Sequence, residues 1–121
     1  MENAFSTNIS QRKLNFEDYT EITQEYPIYK FNKNVVEKMK IRYINPDDYN
    51  KQLEVISSDP IIQIRTPNVN INYKSNCYIR MTFNIPDTPA FYTCYIAIRD
   101  LKTNEIEEVL KIPIEVLDDN D

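Results

Sequence analysis

An all-β sandwich of about seven short antiparallel strands is the fold this sequence predicts, and three observations carry the prediction. Apolar and polar residues alternate with a two-residue period along most of the chain, the pattern of half-buried strands. Prolines, asparagines and aspartates break that pattern at intervals of roughly ten residues, where turns belong. No long stretch repeats its apolar residues at helical spacing. A barrel of similar strand count is the structural alternative. A chain of 121 residues has room for one domain around one core and buries roughly two thirds of its unfolded surface. It contains no Gly, so a position needing positive φ falls to Asn or Asp, the other residues best suited to it.

Residues 1–25 carry Leu14, Phe16, Tyr19 and Ile22 at loose spacing. They read either as a partly disordered extension or as an arm that packs on the domain or on a partner. Strand pattern begins in Tyr26–Phe31, where Tyr29 and Phe31 share a face and Pro27 marks an edge or a strand start. Asn32-Lys33-Asn34 is a turn. From Val35 to Ile44, the residues Val35, Met39, Ile41 and Tyr43 point inward, while Lys38, Lys40 and Arg42 form an outward row of positive charge. Asn45-Pro46 ends that strand, because Pro lacks a donor and restricts the residue before it. Leu53 and Val55 mark a short strand closed by Ser57-Ser58-Asp59-Pro60, and Ile61, Ile62 and Ile64 lead to Pro67. Val69, Ile71 and Tyr73 then oppose Asn68, Asn70 and Asn72. After the turn at Lys74-Ser75-Asn76, the residues Cys77, Ile79, Met81, Phe83 and Ile85 oppose Tyr78, Arg80, Thr82 and Asn84.

The stretch Phe91–Leu117 is an antiparallel hairpin. Tyr92, Cys94, Ile96 and Ile98 share one face of its first strand. In the second, Ile106, Leu110, Ile112, Ile114 and Val116 oppose Glu107, Lys111 and Glu115. Asn104 is the expected positive-φ residue of the connecting turn. Ile79, Phe83, Ile96 and Leu110 are the expected core. Pro27 and Pro113 are expected in edge strands, where a missing donor discourages pairing with another chain and keeps the isolated domain monomeric.

Composition narrows the function. Fourteen basic against 19 acidic residues give a net charge of -5, which argues against nonspecific binding of nucleic acid or an anionic membrane. No apolar run approaches the roughly 20 residues of a membrane span, and the start is too polar for a secretory signal, so a cytoplasmic location is expected. Asn8-Ile9-Ser10 matches a glycosylation sequon that such a location leaves unused. Cys77 and Cys94 read as small buried thiols in a reducing compartment, with a disulfide as the alternative. The chain has no His, which removes a His base, a His-assisted nucleophile and a His-ligated zinc. Without Gly there is no phosphate-cradling loop. Asp47-Asp48, Glu107-Glu108 and Asp118-Asp119 are sequence neighbours, expected to diverge in a strand or to be solvated in a loop. No catalytic residue, cofactor or metal is therefore expected, and the protein reads as a non-enzyme.

Several segments together carry a family resemblance. They are Ile41-Arg42-Tyr43-Ile44-Asn45-Pro46, Ser57-Ser58-Asp59-Pro60, Tyr78-Ile79-Arg80-Met81-Thr82-Phe83-Asn84-Ile85-Pro86, Asn104-Glu105 and Ile112-Pro113-Ile114-Glu115-Val116. This set resembles the Ig-like repeats at the C-terminal end of nephrocystin-4 and, more broadly, ASH and major-sperm-protein-like (MSP-like) domains. Antibody landmarks are missing, since there is no Trp and the two Cys are too close in sequence, so the likeness to immunoglobulins is architectural. The resemblance implies an Ig-like β-sandwich over residues 26–117, with an N-terminal extension or arm at 1–25 and an acidic tail at 118–121. It also implies a protein-interaction scaffold of the cilium, basal body, centrosome or cytoskeleton, docking partners through strand edges and the arm. The alternative is an adaptor of major-sperm-protein type that binds short acidic peptide motifs through Lys38, Lys40 and Arg42. Glu17, Asp18, Glu21 and Glu25 are candidates to cover that basic row in cis.

Overall fold

A computed structural model of the protein describes residues 14–118. The sequon at 8–10, the start of the extension and residues 119–121 of the tail lie outside the described residues. A 3-10 helix over Phe16–Ile22 is followed by β1 (Thr23–Glu25), β2 (Tyr29–Asn32), β3 (Val36–Ile44), β4 (Lys51–Ser57) and β5 (Ile62–Ile64). Then come β6 (Asn68–Ile71), β7 (Asn76–Asn84), β8 (Ala90–Asp100) and β9 (Glu105–Leu117). The six-stranded sheet runs β1-β9-β8-β4-β6, with β2 also on β9, and the three-stranded sheet runs β3-β7-β5. The fold is an all-β, Ig-like sandwich.

The inward residues of both sheets meet in one core. Ile79, Phe83, Ile96 and Leu110 are all buried there, with Leu53, Val55, Ile62, Met81, Ile98, Ile112 and Ile114. Tyr29 and Phe31 of β2 close one side against the Phe83 ring, at centroid distances of 6.0 and 5.7 Å. Such tilted and edge-on pairs suit aromatic quadrupoles better than face-to-face stacking.

The β8–β9 hairpin forms as expected, and Asn104 turns it at φ 66°. Asn34 fills a second left-handed position at φ 65°. A third, at φ 56°, falls to Lys74, a residue outside the Asn-or-Asp expectation. Its amide donates to the Asp47 carbonyl and the next amide, of Ser75, donates to Asn72, so neighbouring backbone bonds hold the turn.

Several expectations are corrected. Nine strands replace about seven among the described residues, and β1 and β2 run parallel to β9 rather than antiparallel. β1 lies inside the span assigned to the N-terminal arm and is already part of the sheet. The second strand begins at Tyr29 rather than Tyr26, because the Tyr26 amide still pairs with Lys111 before Pro27 breaks the ladder. β6 ends at Ile71, which leaves Tyr73 exposed rather than inward. Cys77, near one end of the sandwich, is only partly buried, whereas Cys94 is buried, and both are free thiols. Thr82 points outward yet is buried, since neighbours on both flanking strands, Lys38 and Gln63, cover it.

Pro113 is not in an edge strand. β9 is flanked by β8 on one side and by β1 and β2 on the other. Lys111 accepts from Tyr26 on the outer side, and backbone groups two residues apart point the same way. The missing N–H of Pro113 therefore faces the gap where the chain passes from β1 to β2.

Candidate functional site

Lys38, Lys40 and Arg42 stand exposed on β3, on the outer face of the three-stranded sheet. Pairing in register sets Thr82 beside Lys38, Arg80 beside Lys40 and Tyr78 beside Arg42. The Arg65 amide donates to the Arg80 carbonyl at 2.8 Å, bringing a fifth cation alongside. Lys38, Lys40, Arg65 and Arg80, with Met39 and Met81, line a shallow depression of about 370 Å³. Every outward position of β3, β5 and β7 is apolar, neutral or basic. Among the described residues none of the five cations is ion-paired.

Lys40 and Arg80 are directly opposed, an arrangement that destabilises a sheet unless something intervenes. Lys40 responds by leaning over the Tyr78 ring, its Nζ 4.4 Å from the centroid, where the negative face of the ring attracts it. Arg80 and Arg65 were not picked out in the sequence as members of this site. Arg80 was recognised as outward, but only the β3–β7 and β5–β7 pairings bring these residues to the Lys row.

The acidic residues of the arm lie elsewhere. The 3-10 helix is capped by Asn15, whose side chain accepts from the Glu17 amide. Phe16 stacks on Tyr95 at 5.4 Å, and Tyr95 projects from the outer face of the six-stranded sheet. Glu17, Asp18 and Glu21 therefore sit across the sandwich from the basic row, on the far side of two sheets packed about 10 Å apart, and Glu25 lies in β1, paired with Lys111 in that same six-stranded sheet. Cis coverage by this part of the arm is ruled out in this arrangement.

A second polar group closes one end of the core. The register shift between Ile98 and Arg99 makes a bulge in which Ile98 faces Glu108, Arg99 faces Ile106 and Glu107 is left over. A bulge re-aims side chains. Here it moves Ile106 to the Arg99 side and turns Glu107 inward, reversing the expected faces of both residues. Glu107 accepts from Tyr43 Oη and Lys51 Nζ, both at 2.6 Å. Lys51 also reaches Asp47 at 2.6 Å, and its side chain is only 2% exposed. Asn45, fully buried, donates to the Tyr49 and Asn72 carbonyls and accepts from the Asp47 amide.

These contacts explain the titration shifts. Burial alone pushes Lys51 down, but its hydrogen bonds to Asp47 and Glu107 outweigh that and hold it above the ordinary lysine value. Burial and the Glu107 carboxylate push the Tyr43 hydroxyl far up. For Asp100, burial raises the carboxyl, yet bonds from the Lys102 amide, the Tyr49 hydroxyl and the Thr103 amide bring it below the usual range. Glu108 is raised, by burial first and then by its neighbour Glu107. Every carboxylate in the group other than Glu108 has a specific donor, so the cluster is built as a structural plug. Among the described residues no three His, Cys, Asp or Glu side chains converge as metal ligands, and no helix is long and apolar enough to cross a membrane.

By sequence, no protein-family model and no curated protein matches the chain. By structure, it is similar to part of a family 123 glycoside hydrolase from Clostridium perfringens, with a TM-score of 0.63 and 15% identity over 85% of this chain and 25% of that one. The chain thus spans about a quarter of that enzyme's length. It is also similar to the ASH / PapD-like domain 7 of human CEP192, with a TM-score of 0.55 and 8% identity over 80% of this chain and 82% of that domain. WR4, an MSP family member of C. elegans, matches with a TM-score of 0.52 and 10% identity over 74% of this chain and 92% of its own. At these identities the likeness is one of fold. The chain has an immunoglobulin-type sandwich, a fold it shares with these ASH / PapD-like and MSP domains.

Proposed function

We propose that this domain is a non-enzymatic docking module whose basic face, formed by Lys38, Lys40, Arg42, Arg65 and Arg80, receives acidic segments of partner proteins. One observation carries the proposal. A chain of net charge -5 gathers five cations on one sheet face, with no acidic residue at an outward strand position there among the described residues, and sets two of the cations side by side. An acidic segment neutralises that repulsion, and its alternate side chains, about 7 Å apart in extended form, match the spacing of alternate residues on β3. Binding is electrostatic and exposed, so it weakens as salt rises. In fluorescence anisotropy, an acidic peptide should bind the native domain and lose affinity when Lys38, Lys40 and Arg42 are all changed to Glu. Binding indifferent to these changes and to salt leaves the face as ordinary solvated surface.

The wider setting we infer is a scaffold of the cilium, basal body or centrosome. The turn-residue likeness to the nephrocystin-4 repeats and the fold shared with a CEP192 domain support it. Affinity capture from ciliated cells, read by mass spectrometry, tests this setting. Recovery of basal-body or axonemal proteins supports it, and recovery only of unrelated proteins sharing an acidic motif favours a general adaptor.

A further inference from the structure

The two sheets end in four edges, and three of them are short or broken. β5 has three residues and is soon followed by Pro67, β6 has four, and β1 and β2 have three and four with Pro27 between them. β3 is different. It pairs with β7 over nine consecutive residues without a bulge or a proline, and among the described residues nothing pairs with its other side. A long, continuous free edge is what folded proteins ordinarily avoid, because it templates another strand.

The direction of its backbone groups follows from the ladder. The Ile85 amide donates to the Val35 carbonyl and the Asn45 amide donates to Ser75, so odd-numbered residues of β3 turn their N–H and C=O toward β7. Val36, Lys38, Lys40, Arg42 and Ile44 therefore present theirs to the open side. The same five residues project their side chains from the outer face, and the two flanking residues are exposed hydrophobics, Val36 at 67% and Ile44 at 57%. The edge carries the sequence apolar, cation, cation, cation, apolar at alternate positions. Directly opposed residues on neighbouring strands share a face and interact as pairs.

We propose that the free edge of β3 accepts an extended segment of a partner protein as a fourth strand of the three-stranded sheet. The segment has acidic residues at three successive alternate positions, flanked at the same spacing by apolar ones. This rests on the acidic-docking function above and specifies its mode as strand addition rather than overlay on the face. The pattern is symmetric, so it fits either strand direction. The intervening residues of the added strand point inward beside the half-buried Met39 and Ile41, which favours apolar or small residues there. The Lys row blunts pairing with a second copy, whose own row would stand directly opposite, while it admits a strand of opposite charge. The edge is thus selective rather than simply protected.

The test uses the full chain labelled with ¹⁵N and the nine-residue peptide VTEVEVETI. Amide hydrogen exchange at Val36, Lys38, Lys40, Arg42 and Ile44 is read with and without it. Protection of these amides by tenfold or more, with the odd-numbered neighbours little changed, supports strand addition. A version of the peptide N-methylated at alternate backbone positions keeps its charge but cannot complete the ladder, and in one of the two phases it should bind at least tenfold more weakly. Equal binding by both N-methylated phases, with the five amides unprotected, overturns strand addition while leaving acidic docking in place. No binding of this peptide or of oligoglutamate overturns both. Protection already present in the free protein means that the edge is filled by this chain or a second copy, and that also overturns the proposal.

Discussion

Replacing Lys51 by Met tests whether the end of the core is held by charge. Met keeps most of the aliphatic stem and removes the ammonium. The two contacts at 2.6 Å are unequal: the Asp47 side chain is 46% exposed and the Glu107 side chain 22%. Water screens the first, so its loss costs within about 1 kcal/mol. The second leaves a mostly buried carboxylate that keeps the Tyr43 hydroxyl as donor but loses its cation. Removing one partner of a buried pair typically costs about 3–5 kcal/mol, and the residual exposure of Glu107 places the expected loss near the lower end, about 3 kcal/mol. For a domain of this size that lowers Tm by roughly 12 °C. Urea melts of Lys51→Met, Glu107→Gln and the double variant, run at pH 7, measure the coupling. The double variant should recover at least about 1 kcal/mol relative to Lys51→Met, because the stranded charge is gone. A single variant within about 0.5 kcal/mol of the parent, or a double variant no better than the single, refutes the reasoning.

Three further outcomes are expected. Phe83→Ala should cost about 3–5 kcal/mol by denaturant melt, since the ring is buried against Tyr29 and Phe31; Thr82→Ala, which empties only a covered outer position, should cost far less, and equal losses would mean the strand parity is wrong. Asp100 and Glu108 should act oppositely on stability. A lowered folded value makes Asp100 stabilising above its unfolded value near pH 4, with the contribution lost as pH falls through the folded one, whereas a raised value makes the Glu108 contribution present at low pH and lost as pH rises. Glu108→Gln should accordingly add about 0.5–1 kcal/mol at pH 7 and nothing near pH 4, and a uniform effect across that range counts against it. The Cys94 thiol, pushed up to about 12 by burial and by Asp59, should resist alkylation in the native protein and react fully on unfolding; rapid native labelling would place it outside the core.

Local chemistry was enough to place much of this domain. Period-two alternation placed Ile79, Phe83, Ile96 and Leu110 in the core, because successive side chains of a strand must take opposite faces. The absence of Gly pointed to Asn104 at the hairpin turn, since a short polar side chain tolerates the left-handed region. The same alternation exposed the row of Lys38, Lys40 and Arg42. What the sequence by itself did not contain was any long-range pairing. That Arg80 and Arg65 join the row depends on which strands flank β7. That β3 keeps one side unpaired among the described residues depends on the arm running parallel to β9 on the other sheet. The bulge that turns Glu107 toward Lys51 adds one residue to one strand and inverts the parity beyond it, and no local pattern signals which strand will take the extra residue. Alternation is a property of one strand's covalent geometry, legible from neighbours in the chain. Edges, opposed charges and buried ion pairs arise between strands distant in sequence, so only the tertiary structure decided them.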